Sequence, residues 1–154
     1  MKKTVSLLAL LAFVSLSAFA QKTYVWDYYH IQITVPRDFR VKVNTNHDFE
    51  MKGDGMELAM HIFEQNVSID DLDDATIEGA KALKLTEVDE ATAVKVNELE
   101  GFYVEGFKDG NRIVFAGLGD PKSHTNFFIV ITFDDDDKEA EKEAINIIKS
   151  LDVL

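Results

Sequence analysis

The chain has 154 residues, 28 acidic and 16 basic, for a formal net charge of −12, and it has no cysteine. A surface this acidic repels nucleic acid and anionic lipid and suits cationic partners or simple solubility. The missing cysteines exclude disulfides, thiolate zinc sites, iron–sulfur clusters, cysteine nucleophiles and a lipoprotein anchor.

Met1-Lys2-Lys3 opens the chain, an uncharged apolar run follows from Val5 to Leu16, and Ala18-Phe19-Ala20 puts small residues at two alternate positions. These are the three parts of a secretory signal peptide over residues 1–20, cut between Ala20 and Gln21. The apolar run is too short to span about 30 Å of hydrocarbon, so the expectation is cleavage, with no membrane insertion afterwards. Lys2 and Lys3 are two of the 16 basic residues, so the mature chain keeps 14 against 28 acids, a formal charge of −14. Its 134 residues are the size of one domain with a real core, expected in the periplasm of a Gram-negative bacterium or outside the cell.

Four aromatics come next: Tyr24, Trp26, Tyr28 and Tyr29. They read either as an exposed binding surface, with Tyr24, Trp26 and Tyr28 its candidate contacts, or as an edge strand covering the core. Tyr29, Ile31, Ile33 and Val35 alternate with polar residues and predict a strand stopped by Pro36. Phe39, Val41 and Val43 predict a second strand, Phe49 and Met51 a third, and Gly53-Asp54-Gly55 a tight hairpin. Met56, Leu58, Met60 and Ile62 alternate in a fourth.

At Ser68 the period becomes helical. Ile69, Leu72, Ala80 and Leu83 share a face, and Ser68 with Asp71 has the form of a capping box. This helix is expected to run to about Leu85, weakened in its interior by Gly79. A weak strand over 91–97 follows, then strands over 101–107, 112–116 and 126–133, with a turn at Asp109-Gly110. Phe127 to Ile131 is apolar on both faces, the mark of a central strand. After the acidic loop Asp134–Asp137, Ala140, Ala144, Ile147, Ile148 and Leu151 line one side of a last helix. Strands joined by hairpins, with helices set between runs of them, predict an α+β fold: one antiparallel sheet of about seven strands with two principal helices packed against it.

Three segments carry a family resemblance: Ile31-Gln32-Ile33-Thr34-Val35-Pro36-Arg37-Asp38-Phe39, the alternating Met56-Glu57-Leu58-Ala59-Met60-His61, and the closing Ile147-Ile148-Lys149-Ser150-Leu151. Together the layout resembles the PsbP-like family, whose fold is shared by the extrinsic photosystem II subunit and the Ran-binding Mog proteins. The resemblance implies a binding or accessory role rather than catalysis, and it carries no site residue with it. Fold alone does not give function.

Few residues suggest chemistry. Asp134, Asp135 and Asp136 could supply oxygens to a divalent cation such as Ca²⁺, but the EF-hand spacing is missing, and capping of the last helix by Asp137 or a neighbour, with the other acids favouring its dipole, by itself explains acids at this place. His30 and His61 fall on polar positions of two predicted strands. Paired in register, they would put two imidazoles on one sheet face for Zn²⁺ or Cu²⁺, though surface histidines explain them as well. Met51, Met56 and Met60 beside His61 suit Cu(I), or serve as core filler. There is no G-x-S-x-G elbow, Walker loop or H-E-x-x-H motif. The reading is an exported, non-enzymatic module that binds an unknown protein or small ligand and needs no cofactor. A periplasmic metal-ion binder using the acidic loop or the histidine pair is the alternative, and a hydrolase is a more distant third.

Overall fold

The computed structural model describes residues 20–63 and 67–154. The expected leader therefore lies outside the described residues, apart from Ala20. Strands β1 (Gln21–Trp26), β2 (Ile31–Pro36), β3 (Arg40–Asn44), β4 (Asp48–Lys52) and β5 (Met56–Ile62) come first. Helix α1 (Leu72–Ala82) follows, then β6 (Thr92–Val96), β7 (Leu99–Lys108), β8 (Asn111–Gly119) and β9 (Asn126–Asp134). Helix α2 (Lys138–Lys149) and the short β10 (Asp152–Val153) close the chain.

The strands form two antiparallel sheets. The larger has seven, in the order β3-β4-β5-β9-β8-β7-β6; the smaller has three, β1-β2-β10. The α+β class and the seven-stranded sheet match the sequence reading. The opening strand of that reading, however, is the middle of the small sheet and does not pair with the large one. It also starts two residues late, because His30 has a φ of 54° and ends a turn. Alternation reports which residues of a strand are buried, not which strand it joins.

The large sheet has helices on opposite faces. Trp26, Ile31, Ile33 and Val35 of the small sheet, with Ala140, Ala144, Ile147 and Ile148 of α2, cover the inner face. That face consists of Phe49, Met51, Met56, Leu58, Met60, Ile129 and Ile131, all buried. The methionines are core filler. On the outer face, α1 packs on β7 and β8 through Ala80, Phe115, Val104 and Ile113.

Two glycines permit that contact. A Cβ on Gly79 would sit 2.6 Å from the Phe115 ring, and one on Gly117 2.5 Å from the Thr76 hydroxyl. The glycine that weakens α1 as a helix is thus the point where α1 meets the sheet. The ends of both helices differ from expectation: α1 stops at Ala82 rather than near Leu85, and Leu151 lies beyond α2, which stops at Lys149. Ser68 opens a 3-10 turn rather than capping α1, and its hydroxyl donates to the Asp71 carboxylate at 2.6 Å. α2 is capped as foreseen: Asp137 accepts from the backbone N–H of Glu139 at 3.1 Å and of Ala140 at 3.0 Å.

Candidate functional site

The aromatic group near the start of the described chain divides. Trp26 has no accessible surface, and its indole N–H donates to the Thr45 carbonyl at 2.6 Å. It stacks near Phe49, with ring centres 6.1 Å apart, and meets Tyr29 edge-on at 4.9 Å. Tyr24 donates its hydroxyl to the Phe39 carbonyl at 2.9 Å, and Tyr29 donates to that of Asn46 at 2.5 Å. These three rings fasten the small sheet to the backbone around β3. Trp26 as a surface contact is therefore corrected: its atoms are sealed in the core. Tyr28, in the β1–β2 turn, is 60 % exposed, and Tyr24 and Tyr29 keep part of their surface accessible.

The acidic loop is likewise engaged. Asp134 accepts from the Asp136 N–H at 3.0 Å, and Asp137 caps α2. Asp135 lies 3.6 Å from the Arg112 guanidinium, which also reaches Glu105 at 3.1 Å and Glu141 at 3.3 Å. Arg112 is the cation on which β7, β8, the loop and α2 converge. Glu105 is nonetheless held above the usual carboxylate range, because burial outweighs Arg112, and Glu141 and Asp89 add repulsion.

The two histidines do not meet as the metal reading requires. β2 and β5 belong to different sheets, so the in-register pairing of His30 with His61 does not form. His30 is exposed in its turn, whereas His61 pairs through Nδ1 with Asp48, its cross-strand neighbour. Among the described residues, no three His, Asp or Glu side chains are grouped to hold a metal ion. The Asp48–His61 pair escaped the sequence reading, yet its signal was there. With the hairpin turn at Gly53–Gly55, counting outward along both strands sets Asp48 opposite His61.

Another feature needed the structure: α1 covers only part of the outer face. A cross-strand row runs Val43, Glu50, Ala59, Val130, Phe115, Val104 from β3 to β7. Phe115 and Val104 lie under α1, but Val43, Glu50, Ala59 and Val130 keep accessible surface. A shallow hollow of about 270 Å³ lies there, floored by Ala59 and Val130 and rimmed by Lys42, Glu50, Lys52 and Glu57. The small Ala59 makes the dip, and the ion-paired Lys52 and Glu57 stand beside it. Asp48 and His61 occupy a neighbouring row of the same face. The strip has an apolar floor and charges of both signs on its rim, a composition suited to a polypeptide surface.

No family model matches the chain, and no curated protein matches it. Solved structures do. The Ran-binding protein Mog1p of Saccharomyces cerevisiae superposes with a TM-score of 0.57 at 13% identity, over 88% of this chain and 96% of that one. A protein of Bacteroides thetaiotaomicron VPI-5482 superposes with a TM-score of 0.54 at 14% identity, over 87% of this chain. This chain spans about half of that protein, 48% of its length. The fold is therefore shared with Mog1p, in agreement with the resemblance read from the sequence. At these identities the likeness concerns fold alone.

Proposed function

We propose that this chain is an exported, non-enzymatic binding module of the Mog and PsbP-like kind, docking a protein partner on the uncovered strip of its outer sheet face. The strip carries the reading. An antiparallel sheet can leave one face in water, and here a continuous row from Val43 to Val130 does so beside a face that α1 seals. The shared fold with Mog1p, a protein described as Ran-binding, supports a role in protein association. For export, the support is the leader-like run before Ala20, with β1 beginning at Gln21, directly after the expected cut.

A photo-crosslinking residue in place of Ala59 tests the surface, in the full chain expressed in its source cells. The expected result is one covalent partner, lost when an excess of wild-type protein competes and retained when the competitor carries Ala59→Arg. Ala59→Arg itself should change stability by no more than about 0.5 kcal/mol, because the site is open. If Ala59→Arg leaves capture intact and Tyr28→Ala removes it, the partner sits on the β1–β2 turn and the strip is wrong. Fractionation of the same cells tests export: uncleaved protein confined to the cytoplasm would overturn it.

A further inference from the structure

We infer that Gln21, once exposed as the amino terminus, closes on itself to form pyroglutamate, making this residue a modification site. The inference rests on cleavage after Ala20, part of the export reading above. Its structural basis is the way β1 meets β2. Gln21 stands opposite Pro36, and the next pair outward is tied by the Arg37 N–H donating to the Ala20 carbonyl at 2.9 Å. In an antiparallel ladder, bonded and non-bonded pairs alternate, so Gln21 and Pro36 form a non-bonded pair. The Gln21 nitrogen therefore points away from β2. β1 is the edge of its sheet, so that nitrogen faces a side with no further strand. The residue is exposed and borders an open hollow of about 280 Å³.

Cleavage turns this uncommitted nitrogen into a primary amine, one side chain's length from its own carboxamide. The neutral amine attacks Cδ, a new N–Cδ bond forms, and the Cδ–Nε2 bond breaks. Nε2 leaves as ammonia, carrying the proton given up by the amine. The product is a five-membered lactam, and no oxidant or co-reactant is consumed. Cleavage has already removed the Ala20 carbonyl from the Arg37 bond, so ring closure breaks no further ladder hydrogen bond. The mature chain loses one positive charge and has no free amine for an aminopeptidase to recognise.

Intact mass decides the matter. The full chain is expressed with its leader, recovered from the envelope or medium, and incubated at neutral pH beside Gln21→Asn. The shorter amide of the variant would have to close a strained four-membered ring. The wild type is expected to reach the mass of residues 21–154 less one ammonia and to become blocked to amino-terminal sequencing, while Gln21→Asn keeps its ammonia. A cleaved wild type that still yields Gln in the first sequencing cycle overturns the inference alone, as does equal ammonia loss from both proteins. The mass of an uncleaved chain would sink the export reading and this one with it.

Discussion

Along β5, Met56, Leu58 and Met60 point inward and are buried, while Glu57, Ala59 and His61 point outward and keep accessible surface. β9 repeats the contrast, with Ile129 and Ile131 sealed inside and Val130 and Thr132 half-covered outside. The same strands thus serve a closed core on one face and an accessible surface on the other. Each inward side chain contributes roughly 1.5–3 kcal/mol by leaving water, and the outward ones contribute far less. The parity of a residue along its strand thus decides whether it serves the core or the accessible face.

The strongest way to break that contrast is at Trp26. Trp26→Ala removes the largest ring of the inner core and leaves the Thr45 carbonyl without its indole donor. The expected cost is about 3–5 kcal/mol, read as a lower urea midpoint. A loss below about 1 kcal/mol would mean that the small sheet is not an integral cover of the inner face.

Gly79 probes the covered half of the outer face. In a free helix, Gly→Ala stabilises by about 1 kcal/mol, but here the added carbon meets the Phe115 ring. Gly79→Ala should therefore destabilise by about 1–2 kcal/mol in thermal melts. Adding Phe115→Leu should reverse the sign. If Gly79→Ala alone stabilises, α1 is not seated tightly on the sheet.

Smaller effects sharpen the picture at α2. Asp137→Ala should cost about 1 kcal/mol by freeing two N–H groups at the helix start, again visible in the urea midpoint. Glu143 is a matter of pH. Burial raises its folded pKa, and Asp38 and Asp137 raise it further. A carboxyl raised on folding holds its proton longer in the folded state, so stability from this group falls as pH rises from the ordinary carboxylate value through the raised one. Glu143→Gln should accordingly be the more stable protein at neutral pH, with the gap closing below about pH 4. Asp120 works the other way. It is nearly buried, which alone would raise it, but the Ser123 hydroxyl and the backbone N–H groups of Lys122 and Ser123 pull its pKa below the usual range. Its contribution is present above the ordinary carboxylate value and is lost as pH falls through the lowered one. A wild-type stability curve without an acid limb would contradict this.

What the sequence made legible follows from local physics. Alternation located β2 to β5, the glycine turns located the hairpins, and the acids before Lys138 marked the α2 cap. The residues that join distant parts were not legible. Tyr24, Trp26 and Tyr29 bond to backbone carbonyls, which have no identity in a sequence, so an aromatic cluster looked the same whether stapling or docking. The division into two sheets was hidden for a related reason: β2 is patterned like any strand with one buried face. The Asp48–His61 pair lay between these cases, readable from hairpin register but not from residue type. The open strip was unreadable because it exists only where α1 stops, and no residue in β3 to β5 records how far a helix elsewhere in the chain will reach.

β2 holds β1 on one side and β10 on the other, and the Leu154 N–H donates to the His30 carbonyl at 2.9 Å. Segments more than a hundred residues apart are thus buttoned onto one strand. For a chain threaded amino end first, out of a ribosome or across a membrane, the small sheet stays incomplete until Asp152 and Val153 have emerged. Such long-range pairing is slow to form, and it sets completion of the small sheet behind that of the local hairpins.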